Sequence, residues 1–439
     1  MPKPCLDLGV DWEGLCHLHM MCGSAGPVDG QVRTRQATHV RIAPEHDGGP
    51  IALRIDGAEV PLDRTTFTAL FDSSVVYAYA PYRHALEDST IGFRDFIGLA
   101  RRAEIPYPLF FAPTEVVTAQ LEAKTRKLLA GVSKSSFSLT SRSAVRLRDV
   151  ELIVKDILRK QAAIKGLDAS LGPNRVINRL RRSAGSVHED ADKVRSLLGL
   201  NLVELRTRTT NQKALEFLIE RLEANQIFVS RSQQSVMPQR LPRDVSFSGL
   251  CVRDRKVPFI FLTSGEHGSD LEPAGRKIFT LVLLSIFIAR GRFAPVSYED
   301  QTGNGVEDRD YELAEEVLMP ASDFSSFAVD ALDDVKDAAR RLHVTPSAFV
   351  MRARRLGAIS PGESRDYLDE LAEQFAARSK SPARTPLTHN AVRSYAGAEF
   401  TRRMLNQLDR GTITPGEFCR VVCLNRLRPN DLHLLRAAK

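Results

Sequence analysis

Cysteine is scarce in this chain. The six residues Cys5, Cys16, Cys22, Cys251, Cys419 and Cys423, spread over 439 positions, are too few and too scattered for a disulfide scaffold, and reduced thiols are the expectation. Long apolar runs are missing as well. The longest, residues 278–289, covers 12 positions and is interrupted by Thr280 and Ser285, whereas a membrane helix needs about 18 to 20; it reads as a buried helix. The first ten residues contain Pro2, Pro4 and Asp7 and no apolar stretch of signal-peptide length, so secretion by that route is not expected and a cytoplasmic location is. No Gly-rich phosphate loop and no serine-hydrolase elbow occur, which removes two common catalytic classes. What remains is an ordinary globular composition, 43% hydrophobic and 26% charged, incompatible with wholesale disorder or a collagen repeat. The length suits about three domains and at least one sizeable core.

Charge is mildly positive overall, 61 Lys plus Arg against 54 Asp plus Glu for a net +7, which permits a nucleic-acid partner without demanding one. It is polarised by segment. Residues 121–200 hold about 17 basic and about 8 acidic side chains, in amphipathic stretches such as 147–161 and 175–182. That pattern fits a solvated helical face, or a surface for an acidic partner or nucleic acid. Residues 299–337 reverse the sign, with about 13 acidic and about 2 basic.

The chain divides on this reading into residues 1–90, an irregular, β-leaning N-terminal region of unknown role; 91–225, a helical basic region; 226–328, a compact α+β unit; 329–375, a helix-turn-helix-like region; and 376–439, a helical tail. Short apolar runs at 39–42, 51–55 and 75–79 account for the β character of the first region. From Phe93 the period becomes helical, with Phe96, Leu99 and Ala100 on one face, until Ile105-Pro106 stops it. A further helix is expected from about Thr114. The fold expected is α+β and predominantly helical: in the α+β unit, runs at 227–229, 245–252 and 257–263 read as strands of a small antiparallel sheet, the last two joined by a polar turn, followed by helices over about 272–290 and 308–319. Pro320 ends the last of these, because proline cannot continue a helix.

The strand, strand, helix, helix order carries particular residues: Ser246-Phe247-Ser248-Gly249-Leu250, Val257 to Leu262, Arg276-Lys277-Ile278-Phe279-Thr280-Leu281, and Glu316-Val317-Leu318-Met319-Pro320. On these the chain resembles the ImmA/IrrE family of metallopeptidase-like regulatory proteins, over about residues 90–439. The resemblance implies a zincin-like fold in which the R-x-I-F-T-L run leads into a helix bearing H-E-x-x-H and L-M-P closes a helix supplying an acidic ligand. That chemistry needs two imidazoles one turn apart on zinc and a glutamate to take the proton of the bound water. Here Leu283 and Phe287 stand at the histidine positions and Leu284 at the general base. The expected acidic ligand falls at about Arg309, flanked by Asp308 and Asp310, and the nearest histidine, His267, lies in the loop before the helix. The expectation is a pseudopeptidase with no metal and no cofactor, its former polar site filled by apolar packing.

Three other constellations bear on function. Residues 338–355 read as helix, turn, helix, with Thr345 as N-cap, Pro346 at the first helical position, and Arg352, Arg354 and Arg355 on the second helix, the shape and charge of a DNA reader. Cys16, His19 and Cys22 lie close enough to be metal ligands, but no second ligand pair follows at a suitable distance. Cys419 and Cys423, one turn apart, read as small buried thiols. The resemblance implies a regulatory or antitoxin-like protein associated with phage or mobile elements. Its partner would be a toxin or repressor, captured along a strand edge at Val257, Phe259 and Phe261. A DNA-binding regulator is the alternative, an active zinc endopeptidase a further one, and no membrane partner is expected.

Overall fold

A computed structural model describes residues 48–130, 146–183, 185–241, 247–263, 273–297, 308–377 and 386–437, and residues 43–439 form one compact unit. The fold is mixed α+β and mostly helical, with two small sheets. The first sheet starts with β1 (Ile51–Ile55) and β2 (Ala58–Leu62), an antiparallel hairpin that turns through Asp56 at φ 47° and Gly57 at φ 86°. Two consecutive positive φ values suit the right-handed twist of the flanking strands, and Asp-Gly tolerates them. Then come α1 (Arg64–Asp72), capped by Asp63 Oδ1 accepting from the Thr66 amide at 2.7 Å, and α2 (Ala80–Asp88). The third strand, β3 (Thr90–Gly92), pairs parallel with β1. Next, α3 (Phe93–Arg102) and α4 (Thr114–Leu129) complete this lobe. Its core is aromatic: Phe67, Phe71, Tyr82, Phe96 and Phe110 are buried, with Phe71 and Phe110 centroids 4.7 Å apart.

The long helix α5 (Leu147–Leu167) sends Leu152 into that aromatic core and Val150, Ile153, Val154 and Ile157 into the next one. It is followed by α6 (Val187–Leu198), α7 (Leu202–Arg206), α8 (Asn211–Ala224), β4 (Phe228–Arg231), β5 (Phe247–Val252), β6 (Phe259–Leu262), α9 (Ala274–Arg290), β7 (Pro295–Ser297) and α10 (Asp308–Leu318). The chain continues through α11 (Ala321–Phe324), α12 (Leu332–Arg341), α13 (Pro346–Arg355), α14 (Pro361–Ala377), α15 (Thr388–Ala396), α16 (Ala398–Asp409), α17 (Pro415–Val421) and α18 (Leu432–Ala437). Among the described residues no helix is long and apolar enough to cross a membrane.

The second sheet has the order β4-β6-β5-β7, with β4 and β6 parallel and the other pairs antiparallel. Side chains alternate between its faces. Phe228, Leu250, Val252, Phe259 and Phe261 join α5, α15, α16 and α17 in one core; Val229, Cys251, Ile260 and Leu262 join α8, α9, α10, α12 and α13 in another. Because helices cover both faces, Phe259-Ile260-Phe261-Leu262 is apolar at every position rather than at alternate ones. A fully buried Lys160 ties the layers together: its Nζ lies 2.8 Å from Asp156, whose carboxylate also accepts from Tyr395 Oη at 2.9 Å.

Several sequence expectations change. The second sheet is mixed, not antiparallel, because β4 enters beside β6 in the same direction. Residues 48–90 are not irregular. The 75–79 run forms a 3₁₀ turn (Val75–Ala78) whose start is fixed by Ser74 Oγ accepting from the Val76 amide, and a boundary at residue 90 would cut through β3. Residues 175–182 are bends and turns rather than an amphipathic helix. The backbone there bonds to the end of α9, Leu180 N to Ala289 O at 2.8 Å and Asn178 N to Ile288 O at 3.3 Å, so its amides serve another helix. The tail helices α15 to α17 belong to the core beneath the sheet. The runs at 39–42, Cys16, His19, Cys22 and His267 lie outside the described residues.

Candidate functional site

In α9 the positions at which the family resemblance puts a zinc site are packed in the core. Leu283 and Leu284 are 0% exposed and Phe287 4%. Leu284 abuts β5 at Gly249, where an added Cβ would come within 3.1 Å of Leu284 Cδ1 and 2.7 Å of the Phe261 carbonyl oxygen. Ser285, one of two buried polar side chains in this helix, donates to its own backbone at Leu281 O, 2.6 Å away. The Arg292 guanidinium lies 4.8 Å from the Phe287 ring centroid. Nothing on this face coordinates metal or accepts a proton.

Opposite stands α10, with Leu313, Ala314 and Val317 turned into the same core. Among its buried carboxylates is Asp310, 1% exposed, paired with Arg290 Nε at 2.7 Å and with Arg292 Nη1. Burial pushes the Asp310 carboxyl above the ordinary aspartate range, and Arg290, Arg292 and Arg309 pull it back. Guanidinium groups therefore occupy the place around this acid that a cation would take. Arg309 itself is exposed and donates to Gly185 O at 2.6 Å, so it is no ligand; of Asp308 only the backbone is described. Among the described residues no cluster of three or more His, Cys, Asp or Glu side chains is arranged around a common point. The residues present do not fit a catalytic zinc ion, which needs three protein ligands and an open position.

The arginines proposed for DNA contact separate on inspection. Arg352 is 2% exposed and points inward: it pairs with Glu316 Oε2, lies 3.8 Å from Glu315, and donates through Nε to Met319 O at 3.2 Å. Its helix buries it against α10, so Arg352 is not available to nucleic acid. Arg355 is held by Glu315 Oε2 at 3.0 Å. Arg354 is exposed. Thr345 caps α13 as expected, accepting from the Ala348 amide at 3.2 Å. Glu316, from the E-V-L-M-P run, also accepts from the Ala321 amide at 3.2 Å and meets His188 Nδ1 at 2.9 Å. It is a structural hub joining α6, α10 and α13. Val257, Phe259 and Phe261 form no edge either: all are 0% exposed, and β6 lies between β4 and β5 with both ladders occupied.

The fold forms two basic concavities. A groove of about 1300 Å³ runs between the N-terminal lobe, the start of α5 and residues 234–241, with Tyr77, Tyr79, Arg101, Arg102, Arg148, Arg240 and Arg426 on its walls. A smaller pocket of about 530 Å³ gathers Arg179, Arg181, Arg182 and Lys193 beside the end of α9. The second follows from the basic 121–200 segment. The first draws its arginines from four distant stretches, and no local pattern announces it. No protein-family model matches the chain, and comparisons with curated proteins and with solved structures likewise give no match.

Proposed function

We propose that the chain is a catalytically inactive ImmA/IrrE-like pseudopeptidase, kept as a regulatory scaffold that binds another protein. An antitoxin or mobile-element regulator acting on a toxin or repressor is the role this reading favours. The observation that carries it is the apolar burial of Leu283, Leu284 and Phe287 on α9, opposite an acid on α10 that is neutralised by Arg290 and Arg292. A buried carboxylate left alone is costly, and a pair of guanidiniums satisfies it without metal. The strand, strand, helix, helix order around that pair is the part of the resemblance that survives the loss of ligands. With β6 interior, the partner surface must lie elsewhere than at Val257 to Phe261.

Purification from the native host under gentle conditions, with mass spectrometry of the intact complex followed by incubation with added zinc, tests the reading. The expected result is a stoichiometric protein partner that stays uncleaved. Cleavage of that partner, blocked by a chelator, would overturn it; so would recovery of the chain with no bound protein.

A further inference from the structure

The groove of about 1300 Å³ is a built concavity rather than a chance gap. Its floor is fixed by Gln239, 5% exposed, whose Oε1 accepts from the Leu152 amide at 2.6 Å and whose Nε2 donates to Asp149 O at 2.6 Å and Arg148 O at 3.2 Å. These bonds pin the 234–241 loop to α5, so the walls are set before any ligand arrives. Of the two acids on the lining, one is ion-paired and the other is buried at the start of α5. Glu104 is held in a two-pronged pair by Arg159 at 3.1 and 2.6 Å, with Lys155 at 3.8 Å. Asp149, 2% exposed, accepts from the Arg146 amide at 2.8 Å at the start of α5.

The cations are not committed in the same way. Arg101, Arg240 and Arg426 are exposed, and none makes an ion pair with another described residue. The other two arginines lie on tyrosines: the Arg148 guanidinium is 3.6 Å from the Tyr77 ring centroid and that of Arg102 5.0 Å from Tyr79. The groove thus combines free guanidiniums with two guanidiniums backed by half-buried tyrosine rings, and a phosphate backbone with unstacked bases can use both, the bases stacking on the guanidinium planes. An acidic polypeptide is less well served. Protein partners anchor in desolvated apolar pockets; here Val75, Leu152 and Met237 are 8%, 3% and 4% exposed and belong to the core, which leaves Ala78, Pro238 and Leu241 as the accessible apolar lining beside five arginines. A concave trough also suits one strand better than a duplex, whose major groove takes a protruding helix or ribbon.

We propose that this groove binds single-stranded nucleic acid, through phosphate contacts from Arg101, Arg240 and Arg426 and stacking of bases on the guanidinium planes of Arg148 and Arg102, which Tyr77 and Tyr79 back. None of these residues lies on α9 or α10, so the site stands whether or not the chain is a pseudopeptidase. The test is fluorescence anisotropy of a labelled oligothymidylate of about 15 nucleotides with the full chain. Binding should weaken as salt rises. The Arg101→Glu/Arg240→Glu/Arg426→Glu variant should lose at least about 100-fold in affinity at low salt, and neutralising the same three residues to Gln should reduce the log–log salt slope by about 2. Both variants should unfold like the parent, since no described ion pair is removed. Arg181→Glu/Arg182→Glu, in the smaller pocket, should leave the affinity unchanged. No binding at low salt, or an equal loss in the smaller-pocket variant, would overturn the assignment. Displacement of the oligonucleotide by polyglutamate at matched charge concentration would overturn it in favour of an acidic polypeptide.

Discussion

Arg352 illustrates how far a side chain's meaning depends on what faces it. Read along the sequence it is one of three cations on a presumptive recognition helix. In the fold it is a buried counterion that also satisfies Met319 O at the end of α10. Removing it leaves Glu316 buried with only His188 and the Ala321 amide, and Glu315 with Arg355 alone, so Arg352→Ala should cost about 3 kcal/mol in urea unfolding. Arg354→Ala, on the exposed side, should stay within about 0.5 kcal/mol. Helical spacing placed these residues on one helix; the buried acids that choose among them come from α10, and no short-range pattern connects the two. Glu223 makes a second prediction at this scale. It is 7% exposed and accepts from the amides of Glu399 at 3.1 Å and Val229 at 3.5 Å. Burial pushes its carboxyl from the ordinary 4.5 up to about 7, against the pull of the Glu399 and Val229 amides and of Arg231, with the Glu399 charge adding to the rise. The folded chain then holds this proton more tightly than the unfolded one. The contribution is therefore neutral below about 4.5, becomes unfavourable as pH rises towards about 7, and costs about 3 kcal/mol above that. Glu223→Gln keeps one acceptor, for the Glu399 amide, and loses the titration, so its stability should stay flat between about pH 5 and 8 where the parent's falls, read by denaturant midpoints.

At the scale of elements, the period of apolar residues carried most of the local structure between residues 226 and 330. Three strands and the helices at 274–290 and 308–318 fall where Val, Ile and Phe runs and Pro320 put them. Pairing was less legible. A run buried on both faces, such as Phe259-Ile260-Phe261-Leu262, reveals that helices cover it but not whether it is an edge, and β6 proves central because β4 joins it in parallel. The 75–79 run misled for a local reason, the Ser74 hydroxyl that caps a tight turn against strand propensity. Close packing of α9 on β5 gives the element-level prediction. Gly249→Ala would press its Cβ against the Phe261 carbonyl and Leu284, and with backbone on one side the strand must shift. A loss of about 1–3 kcal/mol is expected in thermal or chemical unfolding. The effect should shrink in combination with Leu284→Ala, because the two changes share one space.

Across the whole molecule, charge that looks merely uneven along the sequence becomes spatially organised. The acidic 299–337 segment supplies Asp310, Glu315 and Glu316, which are used internally by arginines from α9 and its end and from α13. Arginines from four separate stretches are instead left facing a groove. Helical spacing in the sequence puts Leu283, Leu284 and Phe287 on one helix, but not Arg101, Arg240 and Arg426 in one groove, which only tertiary structure brings together. The central claim is that the helix pair α9 and α10 is held by apolar contacts and arginine–carboxylate pairs in place of a metal ion. Zinc content measured by mass spectrometry, on protein purified from zinc-supplemented cells and again after chelation, tests it most directly. The account predicts no stoichiometric zinc and the same melting temperature before and after chelation. One zinc per chain, whose removal lowers the melting temperature and whose binding is lost in Asp310→Asn, would contradict it.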